Sequence, residues 1–246
     1  MKLDVILTPA ELSALARRDL NQTICVVFDI LRATSTFVTA LQNGAKEIIP
    51  VSEISEALAL KQSWATVLLG GERNGVKIQA NGIDFDFGNS PREYTKEKVA
   101  DKTIVSTTTN GTRAFRAVAN AKMVLAAALL NLDATAKFIE RQKCENILLV
   151  CAGTRENAAL EDILAAGALC DLLSANSAIE IPSDSAQIAL HAFAKVKSNL
   201  KTAVFNSENA RRVAGIPELQ GDVEFCLQCD VFPLVAAMSD GAIRRI

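Results

Sequence analysis

Thr23-Ile24-Cys25-Val26-Val27-Phe28 is a short run rich in β-branched residues, and it leads without a break into Asp29-Ile30-Leu31-Arg32-Ala33-Thr34-Ser35-Thr36. A strand that is apolar on both faces belongs inside a parallel sheet covered on both sides. The segment that follows, Thr36–Asn43, carries apolar residues at helical spacing, and Gly44 stands where a helix C-terminal glycine belongs. The same alternation recurs along the chain. Lys2–Leu7, Glu47–Val51, Val67–Leu69, Thr103–Ser106, Met123–Ala126 and Asn146–Val150 read as strands, and Glu53–Gln62, Thr112–Asn120, Asp133–Gln142 and Asn157–Ser174 as helices. The predicted fold is therefore α/β, three layers (α/β/α) around a largely parallel sheet. Residues 1–246 are expected to form one domain. The strand–helix rhythm weakens after Ser174, so the C-terminal third is read as a packed subdomain with a subdivision near residue 175.

Composition narrows the chemistry. The chain has 246 residues, 50% hydrophobic, 22% charged and 5% aromatic, with a net charge of -2; this is the balance of a folded globular protein. A sequence pI of about 5.6 argues against a nucleic-acid binder, which normally carries a basic face. No apolar run approaches the roughly 18 residues of a membrane span. Met1-Lys2-Leu3-Asp4 does not open a secretory leader, so a cytoplasmic location is expected. The one histidine, His191, lies in the helical stretch Ile188–Lys195 without a serine or carboxylate signature beside it, and reads as structural or solvent-facing. Catalysis should then rest on carboxylates, hydroxyls, arginines, backbone amides or a hard metal. The six cysteines read as reduced core residues, and Cys226-Leu227-Gln228-Cys229 lacks the second pair that a zinc site needs. A homodimer is the base-rate expectation.

In open α/β sheets ligands bind beyond the carboxyl ends of the strands. After the first buried strand stand Asp29, placed to bind Mg²⁺, and Arg32, placed to grip an oxyanion; Thr34, Ser35 and Asp29 are also ordinary helix caps. After Val67–Leu69 comes Gly70-Gly71-Glu72-Arg73-Asn74-Gly75, where glycines permit close backbone approach. After Ile104-Val105-Ser106 comes Thr107-Thr108-Thr109-Asn110-Gly111-Thr112-Arg113-Ala114, hydroxyls and a cation at a helix start, which is the recipe for an anion site, although no P-loop pattern is present. After Leu148-Leu149-Val150 comes Cys151-Ala152-Gly153-Thr154, then Glu161 and Asp162, whose simpler explanation is the helix dipole. Phe225–Asp230 ends another apolar run with a carboxylate. Together these strand ends imply a divalent metal, Mg²⁺ by preference, and a small polyanionic substrate. Gly70–Pro91 is long enough to be functional, the bland alternative being a solvated hairpin that pairs Val76–Ile78 with Asp84–Phe87. Asp84-Phe85-Asp86 has the spacing of an Asp-nucleophile phosphatase motif but does not end a strand.

Val27–Thr36, Gly70–Gly75, Phe87-Gly88-Asn89-Ser90-Pro91, Thr107–Ala114 and Cys151–Asp162 resemble, in order and over nearly the whole chain, the 2-phosphosulfolactate phosphatase family. The resemblance implies a Mg²⁺-dependent, cytoplasmic phosphatase unrelated to the Asp-nucleophile enzymes. The implied reaction converts (2R)-2-phospho-3-sulfolactate to 3-sulfolactate and phosphate, a step that in some organisms belongs to coenzyme M biosynthesis. The match is loosest at Ser207–Arg212, where family members often show a Ser-x-His-Gly-like segment and this chain has no histidine. On that resemblance Arg32, Arg73 and Arg113, with Thr107, Thr108, Thr109, Asn110, Gly111 and Thr112, would grip the phosphate and sulfonate. Mg²⁺ would sit on Asp29, Glu72, Glu161 or Asp230, with Asp29 and Arg32 essential to turnover. Asp162 is the expected base for in-line attack by a metal-activated water. The alternatives are a phosphatase of another small phosphorylated hydroxy acid and a non-catalytic sensor of a phosphorylated metabolite; no nucleic-acid or membrane partner is expected.

Overall fold

In the computed structural model the described residues are 1–246 apart from Ala16 and Asn81. The strands are β1 (Lys2–Ile6), β2 (Thr23–Phe28), β3 (Glu47–Pro50), β4 (Leu68–Arg73), β5 (Val76–Lys77), β6 (Gln79–Ala80), β7 (Ile83–Asp84), β8 (Thr103–Thr107), β9 (Met123–Ala127), β10 (Asn146–Cys151), β11 (Ala236–Ser239) and β12 (Ala242–Arg245). The α-helices are α1 (Leu12–Leu15), α2 (Ala33–Gln42), α3 (Ile54–Ser63), α4 (Lys96–Val99), α5 (Gly111–Ala117), α6 (Leu132–Glu140), α7 (Leu160–Leu173), α8 (Asp184–Val196), α9 (Leu200–Phe205), α10 (Glu208–Ala214) and α11 (Gln220–Cys226).

Ten strands form one sheet in the order β1-β10-β2-β9-β11-β12-β3-β8-β4-β5. Two blocks, β1-β10-β2-β9 and β3-β8-β4, are internally parallel. With helices on both faces this is the expected three-layer α/β/α arrangement. Cys25 pairs with Leu148 on one side and Val124 on the other, and the whole of β2 is buried, which is why its sequence is apolar on both faces. Gly44 follows α2 at φ +90, the left-handed C-terminal position that favours glycine. All seven predicted strands are present; the first one after Gly44–Lys46 ends at Pro50, and Val67–Leu69 lengthens to Leu68–Arg73.

The C-terminal hairpin is the main departure from the sequence reading. β11 and β12 splice the two parallel blocks together, antiparallel to β9 and β3. Asp240 and Gly241 both take positive φ between them, as a tight two-residue hairpin turn requires. The C-terminal third also packs through α8 against α7, where Gly167 allows close approach: a Cβ there would lie 2.1 Å from the Ala189 carbonyl oxygen. Phe225–Asp230 is not a strand end; it is the end of α11 and the turn after it.

The Gly70–Pro91 stretch, whose Asn81 lies outside the described residues, pairs differently from the expectation. Val76–Lys77 pair back onto Glu72–Arg73, and Gln79–Ala80 pair with Ile83–Asp84. The predicted pairing survives in one bond, from the Phe85 amide to the Ile78 carbonyl at 3.1 Å. Ile78 and Phe85 are buried in a second apolar cluster with Val51, Leu58, Leu69 and Val105, so the excursion is anchored rather than solvated. Asp86 accepts the Leu69 amide at 2.7 Å, and neither aspartate of the Asp84-Phe85-Asp86 pattern ends a parallel strand.

Four strands stand between β2 and β8. In a flat sheet five interstrand steps would hold them about 24 Å apart. Yet a Cβ on Gly111, just after β8, would lie 2.8 Å from Oδ2 of Asp29, just after β2. The segments that follow the two strands therefore reach across, and the two blocks share one crevice beyond their carboxyl ends.

Candidate active site

The crevice is a cavity of about 430 Å³ lined by residues from the ends of β2, β4, β8 and β10 and from α10. Asp29 forms part of its wall and is 8% exposed. Its Oδ1 accepts the Ala33 amide at 3.0 Å and so caps α2, while Oδ2 lies against Gly111. Burial pushes the Asp29 carboxyl up to about 7, and the charges of Glu72 and Glu161 add to the rise against the Ala33 N–H and the Arg32 guanidinium. Thr34 Oγ1 bonds the Asp29 backbone and Ser35 Oγ donates to the Ile30 carbonyl, so these hydroxyls shape the turn.

Arg32 is buried. Its Nη1 donates to Asp222 Oδ2 at 2.7 Å and its Nη2 to the Gly75 carbonyl at 3.1 Å. Asp222 is itself fully buried and takes Ser90 Oγ and Arg92 Nε on Oδ1. Nothing in the strand-end reading pointed to Asp222, which comes from α11, yet it fixes where the Arg32 guanidinium sits.

Glu72 and Glu161 face the cavity from different strand ends. Glu72 is saturated: Oε1 accepts the Thr109 amide and hydroxyl at 3.0 and 2.9 Å, and Oε2 accepts the Gly75 amide at 2.6 Å. Glu161, 1% exposed, accepts Asn209 Nδ2 at 2.7 Å on Oε1, and its buried Oε2 has no partner. The helix dipole explains an acidic residue in the first turn of α7, but not one that is buried with an oxygen unmet. Asn89 Oδ1 and Thr154 Oγ1 are also buried without partners, so three of the five such side-chain atoms among the described residues belong to lining residues of this one cavity. Buried polar atoms normally find partners, and a cluster of exceptions marks a place where a ligand completes the bonding.

Several expected site residues are placed elsewhere. Asp162, expected as a base, is 2% exposed and spends Oδ1 on the Ile30 amide and Oδ2 on the Gly153 amide, at 2.8 and 2.9 Å. Burial and the neighbouring charges of Asp29 and Glu161 raise its pKa well above the ordinary range, but its oxygens staple two strand-end loops together. Arg73 turns from the cavity and binds the Ser52 carbonyl and Thr107 Oγ1. Arg113 pairs with Glu156 at the surface. Thr108 and Thr112 bond each other within the turn, and Thr109 and Asn110 alone of residues 107–113 line the cavity. The anion seat expected on this turn is thus occupied in part by the Glu72 carboxylate. Asp230 is exposed and accepts the Asp133 amide at 2.6 Å, capping α6 outside the cavity lining. His191 is exposed on α8, and all six cysteines are free.

The strand-end reading missed Arg155 and Asn74, both at positive φ, and the helix pair Asn209 and Arg212, all of which line the cavity. The i, i+3 spacing of Asn209 and Arg212 after the capping serine Ser207 is the signal that places them on one helix face. Asp29, Glu72 and Glu161 share the cavity, although among the described residues no three acidic, histidine or cysteine side chains are grouped tightly enough to hold a metal ion as they stand. Among these residues no helix is long and apolar enough to cross a membrane.

Known proteins now define the class of this chain: it is an enzyme, a phosphoric monoester hydrolase. The sequence model of the 2-phosphosulpholactate phosphatase family matches residues 8–241, and the chain belongs to that family. Relatives named probable 2-phosphosulfolactate phosphatase include one from Caldanaerobacter subterraneus subsp. tengcongensis, 41% identical over 92% of both chains. One from Thermotoga maritima is 43% identical over 88% of this chain and 89% of its own. One from Clostridium beijerinckii is 35% identical over 99% of each.

Proposed function

We propose that this enzyme hydrolyses (2R)-2-phospho-3-sulfolactate to 3-sulfolactate and phosphate, with Mg²⁺ as its cofactor. The observation that carries the reading is the unmet, buried Glu161 Oε2 in the same cavity as Asp29, whose burial and carboxylate neighbours raise its pKa. Carboxylates that repel one another around an unbonded oxygen fit a hard cation, and Asp29 and Glu161 are the residues that would hold it. Mg²⁺, when bound, neutralises phosphoryl oxygens and lowers the pKa of water.

The protein's own groups do the remaining work. Arg32, locked by Asp222, presents a fixed cation beside the carboxylates, which supports a role in binding the phosphoryl group. Thr154 offers the phosphoryl group an unbonded hydroxyl donor, while the unbonded Asn89 Oδ1 is an acceptor suited to water or a cation. Ser207 Oγ accepts the Ala210 amide and Thr154 Oγ1 has no partner, so neither has a base bonded to it, whereas Thr109 Oγ1 donates to Glu72. The proposed route is direct in-line attack by water. Asp162 acts as a positioning residue that holds the loops after β2 and β10 together.

The test is phosphate release from (2R)-2-phospho-3-sulfolactate by the purified chain, with Mg²⁺ and after chelation. Turnover that needs the metal and exceeds that on 2-phosphoglycolate or 2-phospholactate is expected. Equal or better turnover of either simpler ester overturns the substrate assignment, and full activity after chelation overturns the cofactor.

A further inference from the structure

The phosphoryl group accounts for one end of the proposed substrate. Its other strong anion, the sulfonate, needs a cation within reach, and the arginines first expected to supply it are spent on Ser52, Thr107 and Glu156. Arg32, held by Asp222 and Gly75, is assigned to the phosphoryl end. Among the arginines lining the cavity that leaves Arg155 and Arg212.

Arg212 is the one held in place. Its Nε and Nη2 both donate to Asn209 Oδ1, at 3.2 and 2.6 Å. The Asn209 side-chain nitrogen donates in turn to Glu161 Oε1 at 2.7 Å and to the Leu31 carbonyl at 2.8 Å. Both ends of this buried amide are therefore used. One amide orients Glu161, whose second oxygen is left unbonded, and on its other side orients a guanidinium whose Nη1 has no partner among the described residues. Gly75 makes room for that group: a Cβ there would lie 3.0 Å from Arg212 Nη1. Gly75 also sits at φ +85, a conformation that glycine favours.

We propose that Arg212 is the specificity residue of this site, receiving the non-reacting sulfonate through its free guanidinium edge, and that Asn209 is the positioning residue that ties this grip to Glu161. A guanidinium already fixed by two bonds to one acceptor loses little freedom when it binds a second oxyanion. The side chains on the two sides of Asn209 match a substrate whose reacting phosphoryl and non-reacting sulfonate are separated by a short carbon chain. The proposal rests on the phosphatase reading above and goes beyond it by saying which residue reads the acid end.

The experiment compares kcat/KM for (2R)-2-phospho-3-sulfolactate and for 2-phospholactate, which keeps the phosphoryl and carboxylate groups and lacks the sulfonate. Arg212→Gln is expected to lower the ratio of the two by about 10- to 100-fold, mostly through KM for the sulfonated ester. Arg212→Lys, which keeps the charge without the fork, should fall between, and it decides the same ratio if the glutamine variant fails to fold. Asn209→Ala should lower kcat on both esters as well as the ratio, because it releases Glu161 together with Arg212. An unchanged ratio in the Arg212 variants, whether both rates fall together or neither does, overturns the proposal. A wild-type chain that releases phosphate from neither ester overturns the phosphatase reading, and the proposal with it.

Discussion

Glu72 and Glu161 meet the same cavity from different strand ends, one at β4 and the other in the first turn of α7, and their bonding is opposite in kind. Glu72 accepts from three donors and ties the β4 hairpin to the turn after β8. Glu161 accepts from one donor and keeps a buried oxygen unmet. Two carboxylates that look interchangeable in the sequence thus divide the labour: one is a strut, the other is available to a ligand. A saturated carboxylate stabilises the apo fold, whereas an unsatisfied one costs stability until something binds it.

That contrast is open to attack at each of its ends. The largest effect is expected at the unsatisfied end: Glu161→Gln and Asp29→Asn should each lower phosphate release by about 10²- to 10³-fold. Neither should lower the melting temperature, because each removes one of the mutually repelling buried charges. A calorimetric scan checks this, and marked destabilisation of Glu161→Gln would make it a strut after all. At the saturated end, Glu72→Gln sets an amide N–H₂ against a backbone N–H of Thr109 or Gly75 and should cost about 1–3 kcal/mol of stability, measurable by urea unfolding. A variant as stable as wild type would erase the distinction. The smallest effect is expected outside the cavity: Arg113→Ala breaks only its solvent-screened pair with Glu156, and should leave the midpoint of the same unfolding assay close to wild type. A large rise in KM instead would return Arg113 to the substrate site.

The layers were readable because buried parallel strands announce themselves: Ile24-Cys25-Val26-Val27-Phe28 has no polar face to hide. Positions just after such strands were readable for the same reason, which is how Asp29 and Arg32 came to light; Glu72 lies within β4 near its end, and Glu161 in the helix that follows β10. Arg73 went astray because β4 runs through it. Neighbours along a strand point to opposite faces, so Glu72 and Arg73 do not share a cavity wall. The C-terminal hairpin escaped because Ala236-Ala237-Met238-Ser239 lacks the β-branched residues of its neighbours, although Asp240-Gly241 is a hairpin-turn signal. Asn209 and Asp222 had no local signature of function, since each acquires its role from a side chain or backbone group far away in the chain, and Arg212 acquires its role through Asn209. Asn209 and Glu161 are 48 residues apart, and Asp222 and Arg32 are 190.

The hairpin that splices the sheet also sets an order of events during synthesis. β11 and β12 occupy the middle of the ten-stranded sheet but follow every other strand in the chain. Until residues 236–245 emerge from the ribosome, β9 and β3 lack the partners that β11 and β12 supply, and each block, once formed, would present an open edge there. Such edges are templates for pairing with the wrong chain. The nascent protein therefore carries an aggregation hazard until β11 and β12 have paired, and the crevice assembled from both blocks is completed only by strands that arrive after all the residues lining it.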